Sequence, residues 1–219
     1  MNVLNELFKY ADVEYKTFHK KLIPNVSEEK IIGVRIPQLR KIAKCLDNDD
    51  FGWDYYEEIM LHGFYIGYKK LDLSQRLKML DEFIPKIDNW AVCDCVCSTL
   101  KFVKKNQAEF LDFLQKYMYS DKEYDVRFAV ITLMDYYLDD EYIDYTLNYL
   151  KNIRSECYYV NMGAAWAFCT AFPKYKDKVL PLLENRQLSS EIHNMTISKI
   201  RDSYRVDKET KEYLKTLRA

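Results

Sequence analysis

The chain has 219 residues, of which 48% are hydrophobic and 31% are charged, and its formal net charge is -1. This composition excludes a disordered chain and provides enough apolar surface for a continuous core, in one elongated domain or two small ones. The near-zero net charge argues against a protein that binds nucleic acid by electrostatics alone.

Turn-forming residues are scarce, since the chain has only five glycines and five prolines, and this favours an all-helical fold. The sequence also has no apolar run long enough to span a membrane and no N-terminal secretion signal. We therefore expect a cytoplasmic protein that does not bind a membrane. In that compartment its six cysteines would remain thiols.

Apolar residues recur at steps of three and four almost throughout the chain, which is the period of an α-helix. No alternating segment is long enough to predict a strand. The pattern predicts twelve helices, over residues 2–19, 27–45, 53–69, 73–84, 88–104, 106–118, 123–138, 140–151, 155–171, 175–183, 188–203 and 207–217.

Local signals support several of these boundaries. Ser27 and Ser74 are placed as N-caps, Pro173 as a helix breaker, and Asp207 at the start of the last helix. The connections between helices are short. Consecutive helices are therefore expected to pack as antiparallel pairs.

The spacing of these helix pairs, about 35 to 40 residues, is typical of HEAT-like repeats. Arg127 and Trp166 are 39 positions apart on second helices of such pairs, and Asp94 lies 33 positions before Arg127. We therefore predict an all-α fold, an α-α superhelix or solenoid of HEAT-like antiparallel pairs, forming a single domain over residues 1–219. Asp94, Arg127 and Trp166 would then line one concave groove.

The charge is distributed unevenly along the chain. Residues 9–44 carry a net +5, residues 45–145 a net -10, and residues 172–219 a net +4. Basic ends around an acidic middle permit a polyanion to be held at the ends. Ordinary solvated helix faces would give similar counts.

One carboxylate stands out in the segment "NWAVCD", residues 89–94. Trp90 and Asp94 are four positions apart, so a helix places both on one face. A carboxylate beside an aromatic ring can stabilise a developing positive charge. The alternative is structural, with Asp94 paired to Arg127 and holding two repeats together.

The neighbouring cysteines of "CDCVC" are interpreted as small buried packing residues and not as metal ligands. Cys93 and Cys97 share a helix face, Cys95 points elsewhere, and no histidine is near. The three histidines are scattered, at positions 19, 62 and 193, and surface or capping roles are expected for them. No nucleophilic triad or phosphate-binding loop is present.

Four segments together resemble the AlkD branch of the DNA alkylation repair glycosylases, which are built from HEAT-like repeats. They are "IIGVRIPQLRKIAK" (31–44), "NWAVCD" (89–94), "VRFAVITL" (126–133) and "YYVNMGAAWAF" (158–168). The resemblance covers about residues 8 to 217. It implies a helical solenoid that holds duplex DNA and excises cationic alkylated bases such as 3-methyladenine and 7-methylguanine, without flipping the base.

The resemblance also implies roles for individual residues. Trp90 and Trp166 would flank the deoxyribose of the lesion, Asp94 would stabilise the oxocarbenium-like sugar and orient water, and Arg127 would bind phosphate. No metal and no organic cofactor is implied, and a monomer is expected. The remaining predicted DNA-binding residues are Arg35, Arg40, Lys41, Tyr158, Tyr159, Lys199 and Arg201.

Two features keep a second function open. Asn161 and Met162 stand where family members carry a basic pair, and Cys169 stands where they carry Arg or Lys. With the acidic middle of the chain, this suggests the alternative of a catalytically silent module. Such a module would bind damaged or branched nucleic acid, or a protein partner, through the same groove.

Overall fold

The computed structural model describes residues 2–218, and over that range the chain forms 13 α-helices, three short 3-10 helices and no strand. Neighbouring helices pack in pairs, the arrangement from which helical solenoids are built. The all-helical fold class is therefore confirmed. The described chain divides after Phe113 into two compact units, here called the N-terminal unit and the C-terminal unit.

The N-terminal unit is organised around α4, which packs against α3, α5 and α6. This helix is apolar on nearly every side, as expected for a helix surrounded by others. The helices that begin in this unit are α1 (Val3–Phe8), α2 (Val13–Leu22), α3 (Ile36–Cys45), α4 (Tyr56–Tyr68), α5 (Leu73–Phe83), α6 (Trp90–Cys97) and α7 (Gln107–Met118).

The predicted helix over 2–19 is wrong, because the chain breaks after Phe8 and restarts at Val13. Asp12 adopts an extended conformation, and its carboxylate accepts the backbone N–H of Tyr15 at 2.9 Å. Such a cap satisfies one of the free N–H groups of a new helix. The additional break raises the number of helices from the twelve predicted to 13.

The predicted helix over 27–45 is also too long. Ser27 precedes only a 3-10 turn and provides no side-chain cap, and α3 begins at Ile36. The segment 31–35, between the 3-10 turn and α3, is kept in a non-helical conformation by the fully buried Glu57 carboxylate of α4. It accepts the backbone N–H groups of Ile32, Gly33 and Val34 at 2.9, 2.7 and 3.1 Å.

Glu57 therefore replaces the hydrogen bonds that a helix would have provided to this segment. Burial raises the pKa of this carboxyl group, while the three backbone N–H groups oppose the rise. Gly33 also requires the open backbone, since its φ of +98° is in the left-handed region.

Two further boundaries differ from the prediction. Asp72, and not Ser74, caps α5, and it exchanges hydrogen bonds with Gln75 in a capping box. The predicted helix over 88–104 is a short α6 followed by a 3-10 helix over Lys101–Lys105. The predicted stop at Pro173 and the start at Asp207 are confirmed.

The C-terminal unit is organised around α10, which packs against α8, α11 and α12. Small residues line much of α10 and are buried, so its neighbours can approach closely. The helices that begin in this unit are α8 (Glu123–Tyr136), α9 (Ile143–Asn152), α10 (Tyr158–Ala171), α11 (Lys176–Glu184), α12 (Ser190–Asp202) and α13 (Lys208–Thr216).

All three histidines are buried, so a surface role is wrong for each of them. His193 fits the expected capping role, since its Nε2 lies 2.9 Å from the carbonyl of Leu217, the C-cap residue of α13. His19 lies between the rings of Tyr15 and Tyr56, and His62 stacks on Trp53 with ring centroids 3.5 Å apart. The imidazole rings of His19 and His62 therefore pack against neighbouring aromatic rings. None of the helices within residues 2–218 is long and apolar enough to cross a membrane.

Candidate functional site

Trp90 and Asp94 lie on the short helix α6, whose start is set by Asn89. The buried Asn89 side chain accepts the backbone N–H of Val92 at 3.0 Å, so Trp90 is the first helical residue. Asp94 follows one turn later on the same face, and both side chains are half-buried. The predicted pairing of an indole and a carboxylate on one helix face is therefore present.

The orientation of Trp90 is fixed by a backbone contact. Its indole N–H donates to the carbonyl of Leu22, the last residue of α2, at 2.9 Å. A carbonyl at a helix C-terminus has no partner within its own helix, so this bond satisfies both groups. The ring next to Asp94 is held in place by α2.

The position of α6 depends on close packing with α4. A Cβ atom added to Gly63 of α4 would lie 2.2 Å from Cγ2 of Val96. No side chain is therefore tolerated at position 63 unless α6 moves. Gly63 was not identified from the sequence, because nothing local distinguishes a packing glycine from any other helical glycine.

The cysteines around Asp94 match the packing interpretation. Cys93 and Cys97 are buried, and Cys95 is half-buried. Burial raises the pKa of the Cys95 thiol to about 11, with Asp94 adding to the rise. The thiol is therefore protonated at neutral pH and is a poor nucleophile.

Among the predicted DNA-binding residues of this unit, Arg40 makes internal contacts. Its guanidinium lies 4.7 Å from the Phe64 ring centroid, donates to the Tyr68 hydroxyl, and donates to the Ser98 hydroxyl at 3.1 Å. It also lies 3.5 Å from the carbonyl of Cys95. Arg40 thus braces the C-terminal end of α6, where a cation is favourable.

Arg35 and Lys41 are more accessible than Arg40. The Arg35 guanidinium pairs with the Asp12 carboxylate at 2.8 Å and lies 4.8 Å from the Tyr15 ring centroid, but its side chain is largely exposed. Lys41 is exposed on α3. These two side chains remain the predicted DNA contacts of the N-terminal unit.

In the C-terminal unit, Arg127 is only 4% exposed. Its guanidinium donates to the backbone carbonyl of Tyr159. It also lies 5.7 Å from the centroid of the Tyr159 ring. One turn earlier on α8, the Glu123 carboxylate accepts the backbone N–H of Tyr159 at 2.9 Å. Arg127 and Glu123 therefore bind the backbone carbonyl and the backbone N–H of Tyr159, in the first turn of α10. We call this arrangement the Tyr159 clamp.

The Tyr159 clamp has two features that the sequence did not reveal. Glu123 supplies a negative charge at the N-terminus of α10, where the helix dipole favours it. Gly163 lies beside this contact: an added Cβ would be in ordinary contact with the Arg127 Nη1, at 3.5 Å, and slightly tight against Cγ1 of Val130, at 3.3 Å. Spacing along one chain cannot show that two helices share a residue in this way.

The exposed face of α10 carries a row of large side chains four positions apart. Tyr158 is 55% exposed, Trp166 is 39% exposed, and the half-buried Met162 lies between them. Lys199 of α12 places its ammonium 5.9 Å from the Trp166 ring centroid. The structure therefore brings Trp166 and Lys199 of the predicted set together and places Tyr158 two turns away on the same exposed face of α10.

Arg201 is not on the same face of α12 as Lys199. Two positions correspond to about 200° around a helix, and Arg201 lines a shallow depression with Ser198, Lys211 and Glu212. Asn161 is also directed inward, since it is 3% exposed and its amide donates to the carbonyl of Ser155 at 2.8 Å.

The predicted residues thus fall into one group in each unit. Trp90 and Asp94 belong to the N-terminal unit, and Arg127 and Trp166 belong to the C-terminal unit. Each unit supplies an aromatic ring beside a charged side chain, on α6 and between α10 and α12. The assembly of all four residues into one site stays a prediction.

Comparison with known proteins gives one family. The model of the family described as "DNA alkylation repair enzyme" matches residues 3–205, which is most of the chain. No curated protein matches the sequence.

Proposed function

The chain belongs to the family of AlkD-like DNA alkylation repair enzymes, and we propose that it is a DNA glycosylase that hydrolyses the N-glycosidic bond of cationic N3- and N7-alkylated purines in duplex DNA. The observation that carries the proposal is the placement of Trp90 and Asp94 on one half-buried face of α6. Neither a metal nor an organic cofactor is needed for the steps below.

The chemistry of the substrate determines what such an enzyme must provide. An N3- or N7-alkylpurine already carries a positive charge, so it leaves C1′ with the bonding electron pair and becomes neutral without a general acid. The positive charge moves onto the sugar. A water molecule then adds to C1′ and loses a proton to the solvent, and the products are the free base and an abasic site.

Asp94 is the residue proposed to stabilise the cationic sugar and to orient the attacking water. A carboxylate placed where positive charge develops lowers the barrier most when it is partly shielded from solvent. Trp90, fixed by Leu22, would provide an aromatic wall on one side of the deoxyribose. Trp166, beside Lys199, would provide the second wall.

DNA contacts are proposed for the accessible cations Arg35, Lys41 and Lys199, with Tyr158 as an aromatic contact on α10. Arg127 is proposed to bind a phosphate near the lesion. Because Arg127 also holds the Tyr159 clamp, substitution there changes stability as well as binding. Retention of the base in the DNA stack, without flipping, is part of the same proposal.

The test is base release from duplex DNA treated with a methylating agent. We expect 3-methyladenine and 7-methylguanine to appear in single-turnover reactions with the intact protein. Asp94→Asn should lower the release rate by about 10²- to 10³-fold, the usual range for removal of one electrostatic stabiliser. Asp112→Asn is the matched control, since Asp112 is exposed on α7, and it should react like the parent protein.

Absence of base release above the Asp94→Asn background would contradict the glycosylase proposal. Salt-sensitive DNA binding without release would instead favour the silent nucleic-acid module, because phosphate contacts make affinity fall with salt. The inward-facing Asn161 is the observation that gives this alternative weight, since it removes one position from the DNA-facing surface.

A further inference from the structure

A cavity in the C-terminal unit lies apart from the residues proposed for glycosylase chemistry. Its volume is about 560 Å³, within the range of small-molecule sites. It is formed by the turn between α7 and α8, the turn between α9 and α10, and one face of α9.

Three tyrosines form part of the cavity wall. The rings of Tyr119 and Tyr149 are nearly perpendicular, at 87°, with centroids 6.0 Å apart. Tyr145 lies one turn before Tyr149 on α9 and also lines the cavity. The two rings meet edge to face, with Tyr149 only 9% exposed and Tyr119 74% exposed. A cation on the open face of Tyr119 can lie within about 6 Å of both ring centroids.

The walls are held in place by hydrogen bonds and by Met118. The Tyr149 hydroxyl donates to the carbonyl of Met118 at 2.8 Å, and the Tyr145 hydroxyl lies 3.9 Å from its sulfur. The Tyr145 hydroxyl also accepts a hydrogen bond from Gln115 at 2.7 Å. Two of the three rings are therefore already positioned, which reduces the entropy lost on binding.

The charges around the cavity favour a cation. Asp121 and Glu156 are exposed carboxylates on its lining, and Arg154 is the one basic side chain there, which gives a net charge of -1. The Arg154 guanidinium donates to the carbonyls of Lys151 and Ile153, both at 2.8 Å. It thus serves the C-terminus of α9, and an anionic ligand would face the two carboxylates.

We propose that this cavity binds a methylated quaternary ammonium group, with Tyr119, Tyr145 and Tyr149 as an aromatic cage and Asp121 and Glu156 as its acidic rim. A trimethylammonium group is large and weakly hydrated, so it gains more from aromatic faces than a protonated amine, which remains hydrogen-bonded to water. Binding of this group does not depend on the glycosylase proposal.

The cavity is larger than the ammonium group alone, so the group would enter attached to a chain. Asn148 and Asn152 lie on the lining beside the tyrosines and offer amide groups to the polar part of that chain. Both a trimethylated lysine and a small molecule such as choline carry the required group. The experiment separates these two sources.

Titration of the full chain with choline and with N-acetyl-trimethyllysine amide, followed by NMR or calorimetry, tests the proposal. The control ligand is 3,3-dimethyl-1-butanol, in which an uncharged carbon replaces the choline nitrogen. We expect both ammonium ligands to bind and the alcohol to bind at least tenfold more weakly. Tighter binding of the lysine derivative indicates a methylated protein partner, whereas equal or tighter binding of choline indicates a small molecule.

Tyr119→Ala is the informative variant, because Tyr119 is 74% exposed and its loss should not unfold the chain. It should weaken choline binding about three- to thirtyfold, as expected for loss of one cation–π contact. Tyr204→Ala is the matched control, since Tyr204 is fully exposed at 103% and lies outside the cavity lining. It should leave choline affinity unchanged.

Three results would overturn the proposal. The first is equal affinity for choline and its carbon isostere, which would mean that the charge contributes nothing. The second is absence of ammonium binding, and the third is binding that Tyr119→Ala and Tyr204→Ala reduce equally. Base release by Tyr119→Ala should equal that of the parent protein, so failure here leaves the glycosylase test unaffected.

Discussion

In the N-terminal unit the aromatic ring of the predicted site is tied to the backbone of another helix, whereas in the C-terminal unit it stands largely free of such bonds. Trp90 donates to Leu22 and is half-buried, while Trp166 is 39% exposed with a lysine over its ring. The burial of the predicted charged residues, Asp94 and Arg127, shows the opposite order. Asp94 is half-buried, and Arg127 is almost completely buried.

This difference corresponds to two tasks in the proposed reaction. A group that stabilises a transition state has to be held still before the substrate arrives, because reorganisation during the reaction costs rate. A group that makes contact with a long, irregular ligand benefits from exposure and some freedom. Under the proposed function, the fixed ring of the N-terminal unit suits the first task and the exposed ring of the C-terminal unit suits the second.

The largest expected difference between the units concerns the glycine in each central helix. Gly63→Ala places a Cβ 2.2 Å from Val96, and Gly163→Ala places one 3.3 Å from Val130. Alanine gains up to about 1 kcal/mol from helix propensity at either position. Overpacking costs about 1–3 kcal/mol or more where neighbours cannot move.

We therefore expect Gly63→Ala to destabilise the protein by about 2 kcal/mol and Gly163→Ala to change its stability by less than about 1 kcal/mol. Urea unfolding followed by circular dichroism measures both. Equal losses for the two variants would show that the close approach of α4 to α6 is no tighter than that of α10 to α8.

The two tryptophans give a smaller and more selective contrast. Trp90→Phe keeps an aromatic ring but removes the indole N–H, which leaves the Leu22 carbonyl without that donor. We expect a loss of about 1 kcal/mol in stability. Trp166→Phe should cost less than about 0.5 kcal/mol, because the ring is at the surface.

Both tryptophan variants should slow base release, since both rings are proposed to flank the sugar. Thermal unfolding and single-turnover base release on the same samples separate the two effects. A Trp166→Phe variant that is strongly destabilised but fully active would reverse the roles assigned to the two units.

The smallest expected effect is the pH dependence contributed by two buried histidines of the N-terminal unit. Burial lowers the pKa of His19 and of His62 from the ordinary value of 6.5. A group with a lowered pKa in the folded state gives stability that is present above about pH 6.5 and lost as the pH falls through its folded pKa. The contribution of these two histidines to stability should therefore be smaller at about pH 5.5 than at about pH 7.5, whereas Glu57, with its raised pKa, acts in the opposite direction.

His19→Phe tests this origin directly, since the His19 Nε2 has no hydrogen-bond partner within the described residues and the ring lies between two tyrosines. We expect the variant to reduce the pH-dependent loss by less than about 1 kcal/mol. Urea midpoints at the two pH values measure the change. An unchanged loss in the variant would exclude His19 as a source.

The fold class was predictable because it depends on a repeating signal. Apolar residues at helical spacing identified most helices, and Pro173 and Asp207 marked boundaries correctly. The segment before α3 was not predictable in the same way. Its hydrogen bonds go to Glu57, more than 20 positions later, and no local preference reports such a partner.

The candidate site was predictable only where its residues share a helix. Trp90 and Asp94 are one turn apart, so their common face follows from spacing alone. The use of Arg40 as a brace depends on where α3 meets α6, and the burial of Arg127 depends on where α8 meets α10. Charge in a sequence identifies a cation without showing whether it faces solvent or another helix.

The Tyr159 clamp has a consequence for how this surface can change over time. Glu123 and Arg127 hold the N–H and the carbonyl of residue 159, groups that every amino acid except proline provides. The side chains at positions 158, 162 and 166 do not take part in these two hydrogen bonds. Mutation can therefore alter the chemistry displayed by α10 while the helix stays anchored, so new ligand preferences are accessible without loss of the scaffold.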